Sequence, residues 1–286
     1  MVETPLTLMV VHAHPDDETI ATGGVLARYA AEGVRTVVVT CTRGEVGEIT
    51  DPAIASPDTL AAVREAELRA ACALLHVTAL HFLDYRDSGM AGTPENDDPR
   101  SFWRADLTEA AGRLVALVRR YRPQVLVTYD ANGFYGHPDH IQAHRVTVAA
   151  FEAAGDPARY PDQGLAPWAP AKLYYTAVPR SRLREFSRRL RALGLAEAAA
   201  EEEDPEPDWG TPDERVTTAV DVRAYAALKR EALALHRSQV GPNSFFLRLP
   251  PPLWEEAFGV EYFERAVCRV DAPAHEDDLF AGLRCA

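Results

Sequence analysis

Positive charge is what this chain has too little of. Its 30 Lys and Arg face 43 Asp and Glu, a formal net charge of −13. That deficit argues against nucleic acid or an anionic membrane as a partner, because both reward an excess of Lys and Arg. An anionic small molecule held by one or two local Arg residues stays allowed. Cysteine is scarce too: Cys41, Cys72, Cys268 and Cys285, with no C-x-x-C pair. This speaks against a structural Cys-zinc site and against a disulfide scaffold. Cys41 and Cys72 lie in apolar surroundings and are expected as buried thiols. No apolar run approaches the ~20 residues of a membrane span. The opening MVETPLT lacks a basic n-region and leads straight into a strand, so no signal peptide is expected. The chain reads as soluble and cytoplasmic.

The 286 residues, 47% of them hydrophobic, suffice for a sizeable core. The order of elements is legible. Leu6–Val11 is a short buried strand, Thr19–Glu32 a helix closed by Gly33, and Val34–Thr40 the next strand. This is the βαβ unit of a parallel sheet. Helix is expected over Thr59–Leu75, Ala105–Tyr121, Asp139–Ala154, Arg180–Leu193 and Asp221–His236. Strand is expected at Ala79–Leu83, Gln124–Thr128, Lys172–Ala177 and Arg215–Val220. The fold class is therefore α/β, a Rossmann-like, mostly parallel sheet flanked by helices, with a C-terminal extension packed on it. Residues 1–196 would form the core. Residues 197–214, rich in acids and prolines, read as a mobile loop, a solvated spacer rather than a substrate lid. Residues 215–286 read as a strand-helix extension of the same domain, its tail aromatics packing back on the core. The long polar segment Asp84–Arg104 is of the kind that lies over a binding site.

Two stretches stand out. His12-Ala13-His14-Pro15-Asp16-Asp17-Glu18 follows the first strand, and Tyr135-Gly136-His137-Pro138-Asp139-His140 follows the fourth. In a doubly wound sheet of order 3-2-1-4-5 the first and fourth strands are neighbours at the switch point, where ligands bind. The two stretches would thus meet by topology alone. A dinucleotide site is the competitor at that place. It wants G-x-G-x-x-G after the first strand, whereas this chain has carboxylates that would repel a phosphate.

Ligand chemistry says what the stretches can do. His14 and Asp17, three apart at a strand-to-helix turn, can face one point, and one imidazole of the second cluster completes two His and one carboxylate. A metal held that way lowers the pKa of a bound water to about 7, and Asp16 beside it can accept the proton. Each residue alone has a plainer reading. Asp16 or Asp17 is otherwise a helix cap, His137 or His140 a hydrogen-bonded loop histidine. His12 is read that way, as packing or support. Their conjunction at two adjoining strand ends favours the metal. A non-catalytic metal or sugar sensor on the same frame would show binding without turnover.

The residues also carry a resemblance. Ala13–Glu18 matches the A-H-P-D-D-E signature, and His137–His140 the H-P-D-H signature, of the LmbE/PIG-L family of metal-dependent N-deacetylases. The likeness extends over most of the chain and is weakest at Glu197–Glu214. It is nearest the branches that deacetylate N-acetylglucosaminyl-inositol and that hydrolyse mycothiol S-conjugates. The resemblance implies zinc, with Fe(II) the alternative, held by His14, Asp17 and His140. It implies Asp16 as general base, His137 as oxyanion stabiliser oriented by Asp139, and Tyr135 as a further hydroxyl there. For the sugar it implies Arg64 and Asp87. The implied activity is removal of the N-acetyl group from an N-acetylglucosaminide of the GlcNAc-inositol type, in low-molecular-weight thiol biosynthesis. RDSGMAGT (86–93) favours this branch. HRSQVGPNSFF (236–246) is as close to the amidase, and a GlcNAc-malate deacetylase is a third alternative. The partner expected is a small amino-sugar, with self-association left open.

Overall fold

The computed structural model describes residues 5–194 and 210–284. Residues 197–209 of the expected acidic loop therefore lie outside the described residues. One seven-stranded sheet organises the rest, in the order β3-β2-β1-β4-β5-β7-β6. Its strands are β1 (Thr7–His12), β2 (Arg35–Thr42), β3 (Ala79–Tyr85), β4 (Val125–Thr128), β5 (Lys172–Ala177), β6 (Thr218–Asp221) and β7 (Val260–Cys268). Strands β1 to β5 run parallel, and β7 runs antiparallel to both β5 and β6. The strand order reverses between β1 and β4, as the doubly wound reading requires.

Helices cover both faces. They are α1 (Asp17–Ala31), α2 (Leu60–Leu74), α3 (Leu107–Tyr121), the single turn α4 (Gly133–Gly136), α5 (Pro138–Ala153), α6 (Arg180–Ala192), α7 (Ala226–Leu233), the single turn α8 (Phe245–Arg248) and α9 (Pro251–Phe258). Side chains of β1 alternate between the two cores. Leu8 and Val10 pack with Leu26 and Tyr29 of α1 and Leu68 of α2. Met9 and Val11 pack with Leu114 and Val118 of α3 and Val146 of α5. A strand buried on both faces reads as a continuous apolar run, which is why β1 and β2 were plain in the sequence. Helix α3 starts under an Asp106 cap, whose carboxylate accepts the Glu109 N–H at 2.8 Å.

Strand β7 was not foreseen; its residues were read as tail. The reason is a charge on its buried face. Glu261 is buried, yet it is fully engaged: Lys229 Nζ lies 2.7 Å away, and the amides of Gly24 and Val25 donate to its two oxygens at 2.7 and 2.8 Å. A glutamate inside a strand breaks the apolar alternation, and the partners that make it tolerable come from elsewhere in the chain. Glu276 plays a similar part beyond β7. It accepts from Lys172 Nζ and the Tyr174 hydroxyl, each at 2.6 Å, and pairs with Arg265 Nη1 at 2.8 Å. The C-terminal segment is thereby sewn into the sheet. None of the helices among the described residues is long and apolar enough to cross a membrane.

Helix α1 touches this added part of the sheet at Gly24. A Cβ there would lie 2.5 Å from Val222 Cγ2 and 2.9 Å from Glu261 Oε1. Gly24→Ala is therefore expected to destabilise the fold by roughly 1–3 kcal/mol through overpacking. Urea unfolding checks this, and an unchanged midpoint would show that α1 and the Val222 segment are not in close contact.

Candidate functional site

The site forms where β1 and β4 end side by side. Pairing of Val10 with Val127 puts His12 and Tyr129 at the two strand exits. The Tyr129 hydroxyl accepts the Ala13 N–H at 2.9 Å and donates to Asp17 Oδ2 at 2.7 Å. It thus bolts the turn after β1 to the end of β4. Sequence reading passed over Tyr129, because a buried tyrosine at a strand end looks like packing. His12 stays in the support: it is buried, with Nε2 3.0 Å from Thr22 Oγ1, and burial lowers its pKa.

His14 stands at the centre. Its Nδ1 lies 3.4 Å from Asp17 Oδ2, and its Nε2 lies 3.2 Å from Asp139 Oδ2 and 3.6 Å from Asp87 Oδ1. Burial alone would push its pKa down. Asp87, Asp139 and Asp17 more than offset this and hold it well above the ordinary value of 6.5. Asp17 is lowered well below the usual carboxylate range: burial opposes ionisation, but His140, His14 and His12 outweigh it. Its Oδ2 also lies 3.5 Å from His140 Nε2, so one carboxylate oxygen sits between two imidazoles from the two clusters.

The second cluster starts helix α5. His137 is the cap residue, and its Nδ1 accepts the Asp139 N–H at 3.1 Å. That bond leaves the ring proton on Nε2, as a donor. Burial, with His14 and His140 nearby, pushes the His137 pKa down to about 4, so the ring is neutral at pH 7. His140 falls to about 4 as well, mainly through burial. The Asp139 carboxylate faces His14 and not His137. It also takes the backbone N–H of Ser88 at 2.9 Å and the Ser88 hydroxyl. Ser88, which sequence reading did not single out, ties the 84–104 segment to the centre. Asp87 beside it is buried, and its carboxylate accepts the amides of Gly89 at 2.8 Å and Val46 at 3.2 Å. Tyr135 stands at the mouth, half exposed, with its ring 5.0 Å from that of His140.

Arg64 is not a surface helix residue. It is 4% exposed, and its guanidinium donates to Gly44 O at 2.8 Å, Pro15 O at 2.7 Å and Asp16 Oδ2 at 3.3 Å. Gly44 has φ +62°, and a Cβ there would lie 2.3 Å from Arg64 Nη1. The arginine therefore needs that glycine. Burial raises the Asp16 pKa to about 6, with Arg64 opposing and Asp17 adding to the rise. The backbone of Asp16 has φ 105°, ψ −31°, a region that non-glycine residues avoid.

Among the described residues, two groups of donor atoms could hold a cation: His14, His137 and His140, and His14, Asp87 and Asp139, the atoms of each lying within 4.8 Å of one another. Among the same residues, His140 Nε2 is buried without a hydrogen-bond partner, 3.5 Å from Asp17 Oδ2. An unsatisfied imidazole nitrogen beside a carboxylate and a second imidazole, with an acid behind that imidazole, suits a divalent metal.

The family described as PIG-L, GlcNAc-PI de-N-acetylase, matches residues 9–151. The 1D-myo-inositol 2-acetamido-2-deoxy-alpha-D-glucopyranoside deacetylase of Geodermatophilus obscurus is 50% identical over 287 residues, 96% of this chain and 97% of that one. The protein of the same name from Thermomonospora curvata is 45% identical over 304 residues, 99% of each chain. Among solved structures, the N,N'-diacetylchitobiose deacetylase of Pyrococcus horikoshii has a TM-score of 0.63 at 21% identity, covering 93% of this chain and 85% of that one. A 4-carboxy-2-hydroxymuconate hydratase from Pseudomonas putida has a TM-score of 0.60 at 19% identity, covering 94% and 99%. At such identity these two share the fold, and the fold alone does not choose between hydrolysis and hydration.

The charges at His14 and Asp17 give a pH signature in chelator-treated protein. His14, raised, contributes stability in full below its ordinary 6.5, and this is lost as the pH climbs through its higher folded value. Asp17, lowered, contributes above 3.8 and is lost as the pH falls through its folded value. The urea midpoint of chelator-treated protein is expected to fall as the pH rises from about 6.5 into the alkaline range. A midpoint that is flat or rises there would contradict the His14 environment.

Proposed function

The chain belongs to the PIG-L family, and from that premise we propose that it hydrolyses the acetamide of an N-acetylglucosaminide of inositol, releasing acetate and the free amine. One observation carries the reading to residues. Asp16, a carboxylate with an elevated pKa, adjoins Asp17 in the chain, and His137, a neutral imidazole donor, has its ring 4.6 Å from that of His14 and 5.1 Å from that of His140. Full-length relatives named as GlcNAc-inositol deacetylases support the substrate class.

We assign His14, Asp17 and His140 as the residues that would hold zinc. Asp139 and Tyr129 brace that set from behind, one at His14 Nε2 and one at Asp17 Oδ2. When bound, the cation would supply Lewis-acid polarisation of the amide carbonyl and a lowered pKa for the attacking water. The side chains do the rest. Asp16, ionised at pH 7, takes a proton from the water as its oxygen bonds to the carbonyl carbon. The Nε2–H of His137 donates to the oxygen that becomes negative, and the Tyr135 hydroxyl at the mouth is placed to add a second donor. As the C–N bond breaks, Asp16 delivers its proton to the departing amine. The site then holds acetate and a free amino-sugar. Asp87 and the 84–104 segment line the approach, where the aglycone would be read.

The amidase reading shares this chemistry and rests on the 236–246 stretch. Acetate release from GlcNAc-inositol and GlcNAc-malate, set against cleavage of a bulky thiol conjugate by the same sample, separates the three. GlcNAc-inositol is expected to be the best substrate, and preference for the conjugate would overturn the proposal. Asp16→Asn is expected to lower kcat by about 10²–10⁴-fold. With wild type, kcat/KM is expected to fall below pH ~6 as Asp16 takes up its proton. Dialysis against chelator should abolish turnover and added Zn²⁺ or Fe²⁺ restore it. A chelator-treated enzyme at full rate would remove the metal from the reading.

A further inference from the structure

Glu18 is wholly buried next to the proposed machinery, and nothing in the reaction above uses it. Its Oε2 accepts the backbone N–H of Asp16 at 2.9 Å. Its Oε1 takes the Thr19 hydroxyl and lies 3.0 Å from Nε2 of His236, 218 residues away. His236 is 1% exposed. Its Nδ1 makes no hydrogen bond among the described residues, so Nε2, facing Glu18 and Thr19, is the working end of the ring. The segment carrying His236 is itself moored. Ser238 donates its N–H and its hydroxyl to Glu67 of α2 at 2.8 and 2.6 Å, and its carbonyl accepts the Thr50 N–H at 3.0 Å.

We infer that Glu18 and His236 are positioning residues that lock Asp16 in its left-handed backbone conformation, aiming its carboxylate at the reacting centre. The geometry is particular. Asp16 occupies the cap position of α1 at φ 105° but makes no side-chain cap bond; its carboxylate lies 3.3 Å from Arg64 Nη2. Its own N–H is held by Glu18. The carbonyl before it is held by Arg64, and its own carbonyl accepts Thr19 N–H and Ile20 N–H, both at 3.0 Å. The Asp16 N–H and C=O and the Pro15 carbonyl are thus all bonded, and His236 steadies Glu18, one of the two side chains that hold them. Within HRSQVGPNSFF, His236 and Ser238 are the residues that make these contacts. The inference leans on the hydrolytic reading only in naming Asp16 the proton acceptor; the backbone conformation can be read with no substrate present.

The test uses full-length, zinc-loaded protein carrying Glu18→Ala, Glu18→Gln, His236→Ala or His236→Gln. Crystal structures are expected to show Asp16 leaving positive φ in Glu18→Ala and keeping it in Glu18→Gln, whose amide oxygen still accepts the N–H. On GlcNAc-inositol, Glu18→Ala is expected to lower kcat on the order of 100-fold, the cost of a misplaced group, with KM within about threefold of wild type. His236→Ala should lower kcat less and His236→Gln, which can donate to Glu18, should recover it. In an Asp16→Asn background Glu18→Ala should cost nothing further, since it acts through Asp16. Asp16 unmoved in Glu18→Ala, or a kcat loss that adds in full to that of Asp16→Asn, would overturn the inference. If Glu18→Ala does not fold, the two His236 variants decide by the same readouts. Wild type inert on every acetamide, with Asp16 still released in Glu18→Ala, would sink the deacetylase reading and leave the positioning role standing.

Discussion

The parallel pairing of β1 with β4 is the constraint on which everything else rests. Three residue pairs, Leu8 with Val125, Met9 with Leu126 and Val10 with Val127, set the register. From it follow the two strand exits, and from them the Tyr129 hydroxyl between Ala13 and Asp17. A slip of one residue would move Tyr129 to the opposite face of the sheet and leave the Ala13 amide and the Asp17 carboxylate without their shared partner. The apolar cores on both faces hold the register, so catalytic geometry is set by packing well below the site.

Against that rigid base stands a strained element. Asp16 holds a backbone conformation that costs on the order of 1–3 kcal/mol. Charge-assisted hydrogen bonds contribute roughly 1.5–3 kcal/mol each, and two are directed here, from Arg64 to the Pro15 carbonyl and from the Asp16 amide to Glu18. Terms of that size are enough to sustain the strain. Arg64, which the resemblance offers to the sugar, bonds the Gly44 and Pro15 carbonyls and lies 3.3 Å from Asp16 Oδ2, in a place that glycine at 44 leaves open.

What was legible in the sequence shares one property: it is local. The five parallel strands, the helices between them and the two dense clusters each announce themselves within a few residues. Their convergence followed from a topological rule, and the strand order 3-2-1-4-5 is found. What escaped is non-local. Strand β7 hid because Glu261 breaks its alternation and is satisfied only by Lys229 and the amides of α1. Tyr129, Ser88 and His236 escaped because each is an ordinary residue until its partner is known. Glu18 lies inside the first cluster, yet its partner His236 lies 218 residues downstream. Asp139 is expected beside His137; its carboxylate lies by His14, while its N–H donates to His137 Nδ1. One residue serves both rings, through different atoms, and spacing alone does not separate them.

The separation between Glu18 and His236 also sets an order of events at the ribosome. Synthesis runs at about 5–20 residues per second, so on the order of 10 to 40 s pass between the making of one and the making of the other. His14, Asp17, His137 and His140 are all polymerised well before His236, and β7, which must lie between β5 and β6, comes later still. The nascent chain therefore carries the whole imidazole and carboxylate cluster while Glu18 still lacks its His236 partner. On the proposed role, the late arrival of His236 would make its synthesis the step that completes the support of the base, and a chain released before it would keep the cluster without that tie.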